Sequence, residues 1–130
     1  MKILLVEDNP GDARLIEEMI KEVEDTAKFD LVHVKSLAEA IHSLGTDSYD
    51  SVLLDLGLPD SSGLDTLVRV HEEAPDMPIV ILTGLADEVV SSEAVRRGAQ
   101  DYLVKGRVDS NVLIRAMRYA TQSKGGGRQK

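Results

Sequence analysis

Cysteine and tryptophan are both missing from this 130-residue chain. Without cysteine, disulfides and thiolate-bound metals are excluded outright. That composition fits a reducing compartment, and a cytoplasmic location is the expectation. Aromatic residues are only 3% of the chain, too few for a base-stacking platform. Positive charge is also scarce, with a formal net charge of −8. Phosphate backbones select basic surfaces, so no direct nucleic-acid partner is expected. Long apolar runs are lacking too. The first, Ile3-Leu4-Leu5-Val6, stops at Glu7-Asp8, too soon for a signal peptide or a membrane span. No later run approaches the ~18 residues of a membrane helix, so no membrane partner is expected.

What is present is alternation. Short apolar, β-branched runs occur at Lys2–Val6, Leu31–Val34, Ser51–Leu54, Ile79–Leu82 and Asp101–Val104. Between them lie stretches with helical spacing. Their apolar stripes are Leu15, Ile16, Met19, Ile20, Val23, then Leu37, Ala40, Ile41, Leu44, then Leu64, Leu67, Val68, His71. A weaker stripe follows at Val89, Val90, Ala94, Val95, and a last one at Val112, Leu113, Ala116, Met117, Ala120. Pro10-Gly11 precedes the first helix, Gly45 follows the second, Pro75 and Pro78 bracket a turn, and Gly98 closes the fourth. Five βα units in one domain imply an α/β fold, a doubly wound parallel sheet with helices on both faces. The runs Ser51–Leu54 and Ile79–Leu82 read as strands covered on both sides. The expected domain is 1–122, with 123–130 a flexible tail or the start of a linker.

In a parallel sheet all strand C-termini share one edge, and ligands bind there. Strand one ends in Glu7-Asp8, strand three in Asp55, strand four in Thr83-Gly84 and strand five in Lys105-Gly106. Singly, each has an ordinary reading. Asp8 or Asn9 could cap the first helix, Thr83 the fourth, Asp55 could be a turn residue and Lys105 a solvated charge. Independent turn residues have no reason to gather three carboxylates, a hydroxyl and an ammonium on one edge. Two like charges ~4 Å apart cost about 4 kcal/mol at an effective dielectric near 20. A cation must offset that, or a carboxyl must keep its proton. An all-oxygen anionic site suits Mg²⁺ or Mn²⁺. A carboxylate beside such a cation can act as nucleophile toward a phosphoryl group.

Four ordered segments then resemble a known family. They are Leu5-Val6-Glu7-Asp8-Asn9, Leu53-Leu54-Asp55-Leu56-Gly57-Leu58-Pro59-Asp60 with Gly63, Ile81-Leu82-Thr83-Gly84, and Asp101-Tyr102-Leu103-Val104-Lys105. Together they resemble the receiver domain of two-component response regulators, over about Lys2 to Ala120. The resemblance implies a flavodoxin-like (βα)5 sheet of order 2-1-3-4-5. It implies that Asp55 accepts phosphate, that Asp8 binds the metal directly and Glu7 through a water, and that the Gly57 carbonyl is a further ligand. It also implies that Thr83 bonds a phosphoryl oxygen, that Lys105 ion-pairs with it, and that Tyr102 turns inward as Thr83 moves. The implied phosphodonor is a sensor histidine kinase or phosphotransfer protein. The implied output face is the fourth helix, fifth strand and fifth helix, through which two copies could also pair. Such a chain is not an enzyme on a separate substrate; it catalyses its own phosphorylation and dephosphorylation. It would be either a stand-alone regulator or a piece of something larger, fused to an effector.

Three departures from the family pattern matter. Gly106 stands where receivers have proline after a cis bond. Gly57 and Leu85 occupy the positions that tune acyl-phosphate hydrolysis, and neither can hold an attacking water, so slow self-dephosphorylation is expected. Gly84 replaces the usual alanine and should leave the pocket open. Competing readings are an aspartyl-phosphate phosphatase, a flavodoxin-like electron carrier and a docking module that works unphosphorylated. The first would want an acid at Gly57, and the second a Ser/Thr-rich phosphate loop and aromatic flavin walls. His33, His42 and His71 lack ligand spacing and read as half-exposed structural residues. Asp12 and Arg14 read as first-turn helix residues. Lys124, Arg128 and Lys130 are too few for a nucleic-acid patch.

Overall fold

Strand and helix alternate throughout the computed structural model, which describes residues 1–23 and 29–123. The expected tail lies outside the described residues beyond Ser123, which ends the last helix. The main sheet has five strands: β1 (Lys2–Val6), β2 (Asp30–Val34), β3 (Ser51–Leu54), β4 (Ile79–Thr83) and β5 (Asp101–Val104). All neighbours pair in parallel, in the spatial order β2-β1-β3-β4-β5 in this numbering. The helices are α1 (Pro10–Glu22), α2 (Leu37–Thr46), α3 (Leu64–Glu73), α4 (Glu88–Arg96) and α5 (Ser110–Ser123). A two-rung hairpin pairs Gly57 with Ser62 and Leu58 with Ser61 just after β3.

Side chains alternate across the sheet and split the core in two. Leu4, Val6, Val52, Leu54, Ile79 and Ile81 meet α2, α3 and α4 through Leu37, Ala40, Leu67, Val70 and Ala94. Ile3, Leu5, Leu53, Val80 and Leu82 meet α1 and α5 through Ile16, Ile20, Leu113, Ile114 and Met117. Every residue of β3 and β4 is buried, as expected for strands covered on both faces.

Four helix starts are capped by side chains, the last by Asp109, which accepts from the Val112 N–H at the start of α5. Asn9 accepts from the Asp12 N–H, Ser36 from Glu39, and Asp87 from Val89 and Val90. Asp8 and Thr83 are therefore released from the capping roles considered above. Asp60 adds a long-range cap, taking the Leu37 N–H at 2.9 Å and the Ala38 N–H at 3.0 Å at the start of α2. Those bonds hold the Asp60 carboxyl below its usual range.

Several boundaries and faces differ from the sequence expectation. β2 begins one residue earlier, and β4 runs on through Thr83. Pro10 and Gly11 lie inside the first turn of α1, where a proline loses nothing by lacking its N–H. α2 continues through Gly45 to Thr46. Leu15 on α1 and both Val89 and Val95 on α4 are exposed; only Ala94 of the α4 stripe is fully buried. On α3 the buried face is Thr66, Leu67 and Val70, with Leu64, Val68 and His71 half-buried beside it. Thr66 can be buried because its hydroxyl meets the Ser61 hydroxyl at 2.7 Å. On α5, Ile114 is 4% exposed and Val112 is 38% exposed. Both choices satisfy 3.6-residue spacing, and docking against β3, β4 and β5 selects between them. His33 and His71 are half-buried, whereas His42 is exposed.

The two α5 residues give a direct check. Ile114→Ala should cost about 2–4 kcal/mol through lost burial and a cavity, while Val112→Ala should stay within about 0.5 kcal/mol. Urea unfolding of both variants reads the difference.

Candidate functional site

Strand register brings the polar strand ends together. Val6 pairs with Leu54, so Glu7 and Asp55 emerge side by side. Thr83 pairs with Val104, so Lys105 follows at the same edge. The backbone locks this geometry: Glu7 N–H donates to the Val34 carbonyl at 3.0 Å, Asp55 N–H to Val6 at 3.0 Å, and Lys105 N–H to Thr83 at 2.8 Å. Alternation places Glu7, Asp55 and Lys105 toward α1 and α5, and Thr83 toward α4.

The charges are close and largely dry. Glu7 is 1% exposed, Asp55 8% and Thr83 5%. Glu7, Asp8 and Asp55 can each offer a carboxylate oxygen within 4.8 Å of the others. Asp8 is exposed at the rim. The Lys105 ammonium sits 2.7 Å from Glu7 Oε1, 2.8 Å from Asp12 Oδ2 and 3.2 Å from Asp55 Oδ2. Glu7 Oε2 accepts the Asn9 N–H at 3.1 Å, so both Glu7 oxygens already have protein donors. Asp55 Oδ1 accepts the Gly57 N–H at 3.3 Å. The Glu7 main-chain carbonyl meets His33 Nε2 at 2.6 Å, tying the edge strand to the site.

Three carboxylates contact one ammonium, with Asp8 close by, and the titration shifts follow. Burial pushes the Glu7 carboxyl above its ordinary value, and the Asp55 charge adds to that, against the bonds from Lys105 and Asn9. Burial alone would lower Lys105. The bonds to Asp12 and Glu7 and the Asp55 charge outweigh it, and the ammonium is held above its usual range. The Lys105 shift reflects the carboxylates gathered around it, a local deficit of positive charge, whereas the Glu7 shift is chiefly burial. Three clustered carboxylate oxygens with that deficit fit a hard divalent cation.

Tyr102 points outward, its hydroxyl donating to the Leu85 carbonyl at 2.7 Å. The positions after Thr83 are open: a Cβ added at Gly84 would meet nothing within 4 Å, and Leu85 is 51% exposed. The same open space lies beside Gly57. The described residues contain no cis peptide, so the Lys105–Gly106 bond is trans; Gly106 takes φ +86°, a conformation that favours glycine.

The structure thus brings Glu7, Asp8, Asp55 and Lys105 together, with Thr83 on the adjoining strand end. It adds residues that the strand-end argument passed over. Asp12, read as an ordinary first-turn residue, contacts Lys105 directly. Its signal was its place one turn into a helix whose start lies at this same edge. Asn9 was considered only as a cap, yet it also donates to Glu7.

The fold and this edge define a small parallel α/β protein whose charged groups converge where its strands end. Residues 3–118 match the response regulator receiver domain family, and the chain belongs to that family. It is 39% identical over 101 residues to the regulatory protein LuxO of Vibrio cholerae, covering 78% of this chain and 21% of that protein. It is 34% identical over 126 residues to the cell cycle transcriptional regulator CtrA of Caulobacter vibrioides, covering 96% of this chain and 52% of that one. The chain thus spans from about a fifth to about half the length of these relatives. Among solved structures, a response regulator receiver domain protein from Clostridium thermocellum superposes with a TM-score of 0.79 at 28% identity, covering 95% of this chain and 96% of that one. Among the described residues, no helix is long and apolar enough to cross a membrane.

The raised Glu7 carboxyl sets a sign for the metal-free protein. Below the ordinary value near 4.5 the group is protonated whether the chain is folded or unfolded and costs nothing. As pH rises from there through the raised folded value, the unfolded chain ionises first and stability falls. Glu7→Gln should remove that slope and leave the chelator-treated protein more stable than the parent at pH 7, with the difference closing toward pH 4. Thermal unfolding across pH in chelating buffer measures it.

Proposed function

We propose that this domain accepts a phosphoryl group on Asp55 in a reaction that depends on a divalent cation, Mg²⁺ or Mn²⁺. The observation that carries the proposal is the pairing at one sheet edge of a nearly buried Asp55 with Lys105 at 3.2 Å and with Glu7 and Asp8 within ligand distance. Asp8, Asp55 and the Gly57 carbonyl would hold the cation, with Glu7 acting through water because its own oxygens are already bonded. When bound, the cation neutralises the clustered acids and draws charge from the transferring oxygens. Asp55 attacks phosphorus as the bond to the donor breaks, and the leaving group departs with the electron pair. Lys105 faces the developing charge, and the Thr83 hydroxyl donates to a phosphoryl oxygen. The donor class is a sensor histidine kinase or phosphotransfer protein, which puts the domain in the cytoplasm. On this reading the chain is a phosphoacceptor that promotes its own modification, with residues beyond 122 serving as tail or linker.

Phosphorylation adds a dianionic group beside Thr83. Drawing Thr83 inward shifts the β4–α4 loop that Tyr102 grips through Leu85, and Tyr102 then turns in. The change appears on the α4, β5 and α5 face, where output partners or a second copy would read it.

With acetyl phosphate and Mg²⁺ the intact protein should become labelled. Asp55→Asn or a chelator should abolish labelling, and Lys105→Met should slow it by roughly 100-fold or more, as losing an oxyanion donor does. Labelling of Asp55→Asn at the parent rate would sink the site assignment. A second measurement follows the label after the donor is removed. Placing a carboxamide at Gly57 or Leu85, as Gly57→Asn or Leu85→Gln, should speed its loss, because a water then has a partner beside the acyl phosphate.

A further inference from the structure

A circuit of three hydrogen bonds closed by one ion pair surrounds the lysine. Glu7 Oε2 accepts from Asn9 N–H at 3.1 Å, and Asn9 Oδ1 accepts from Asp12 N–H at 3.0 Å. Asp12 Oδ2 accepts from Lys105 Nζ at 2.8 Å, and the ring closes on Glu7 Oε1 at 2.7 Å. An ammonium has three donors. Three carboxylate oxygens lie within 3.2 Å of it, and the longest contact is the one to Asp55. The two shorter contacts, the ion pair with Glu7 and the hydrogen bond to Asp12, anchor the ammonium on the α1 side, and its longer hydrogen bond reaches Asp55. Asp12 stands outside the three-carboxylate set that can share a cation. Its side chain meets the site at Lys105.

We propose that Asp12 is a positioning residue for phosphoryl transfer: it completes the ring that holds the Lys105 ammonium to one side of Asp55, with a single N–H kept for the incoming phosphoryl oxygens. This rests on the assignment of Asp55 as phosphoacceptor. Without the Asp12 oxygen the ammonium loses one anchor. It can then settle between Glu7 and Asp55, competing with the cation for both carboxylates, or turn a donor toward water. Either shift takes it from the place where negative charge grows as the Asp55 oxygen bonds phosphorus and acetate leaves with its electron pair. A carboxamide oxygen can fill the same acceptor position, so geometry and charge are separable by substitution.

The test measures initial labelling of the full chain by acetyl phosphate while Mg²⁺ is varied. At saturating Mg²⁺, Asp12→Ala should label about five- to tenfold more slowly, and Asp12→Asn should recover to within about twofold of the parent. In a Lys105→Ala background, Asp12→Ala should change nothing further, because its effect runs through that ammonium. Parent-like labelling by Asp12→Ala would overturn the proposal. So would an equal loss in the Asn variant, or an additive loss without Lys105. A parent protein that takes no label, or Asp55→Asn that does, removes the phosphoacceptor reading instead and is told apart by that control.

Discussion

One ammonium, that of Lys105, lies within 3.2 Å of three carboxylates on three different elements. Glu7 follows β1, Asp55 follows β3 and Asp12 sits in the first turn of α1. The lysine itself is only partly buried, so its contacts are screened on one side and its net worth to stability is modest. Its consequence is geometric. Carboxylates this close repel, and the ammonium lets them stay converged. It does not offset the cost of burying Glu7 beside Asp55, and the Glu7 carboxyl stays above its ordinary value.

The same edge is divided by strand alternation. The acids and the lysine face α1 and α5, whereas Thr83 and Tyr102 belong to the face covered by α4. On the proposed reading, a change at Asp55 reaches the far side by way of Thr83 and the loop that follows. That loop is suited to movement: it is exposed from Gly84 to Asp87, and Tyr102 holds it by one hydrogen bond to a carbonyl. By contrast, the charge circuit is tied into β1, β5 and α1 by backbone bonds at each step. A tightly bonded charge cluster and a loosely held loop thus share one sheet edge.

Fold class, strand positions and the convergent acids were legible because each depends on a local pattern. Buried strands read as apolar runs, and their last residues must share an edge once the sheet is parallel. Helix faces were less legible. The α5 stripe admits Val112 or Ile114 equally, and only docking on the sheet buries the second. Thr66 was missed for a different reason: a buried hydroxyl needs a partner, and Ser61 reaches it through a hairpin with no apolar signature. Asp60, quoted only within a motif, caps a helix more than twenty residues away, which no local pattern announces. Strand order came from resemblance, since alternation alone admits more than one winding.

Asp12 shows where strand-end reasoning stops. That argument collects residues at the ends of strands, but the first turn of α1 lies against the same edge. The Asn9 cap turns the chain so that the next acid, the half-buried Asp12, reaches back over the strand end. In a doubly wound sheet each βα loop delivers two groups to the edge, one where the strand stops and one where the helix begins. Counting only the first leaves out the acceptor that anchors Lys105. With Asp12 included, the edge gathers four acids around a single lysine, which is the arrangement a divalent cation would balance.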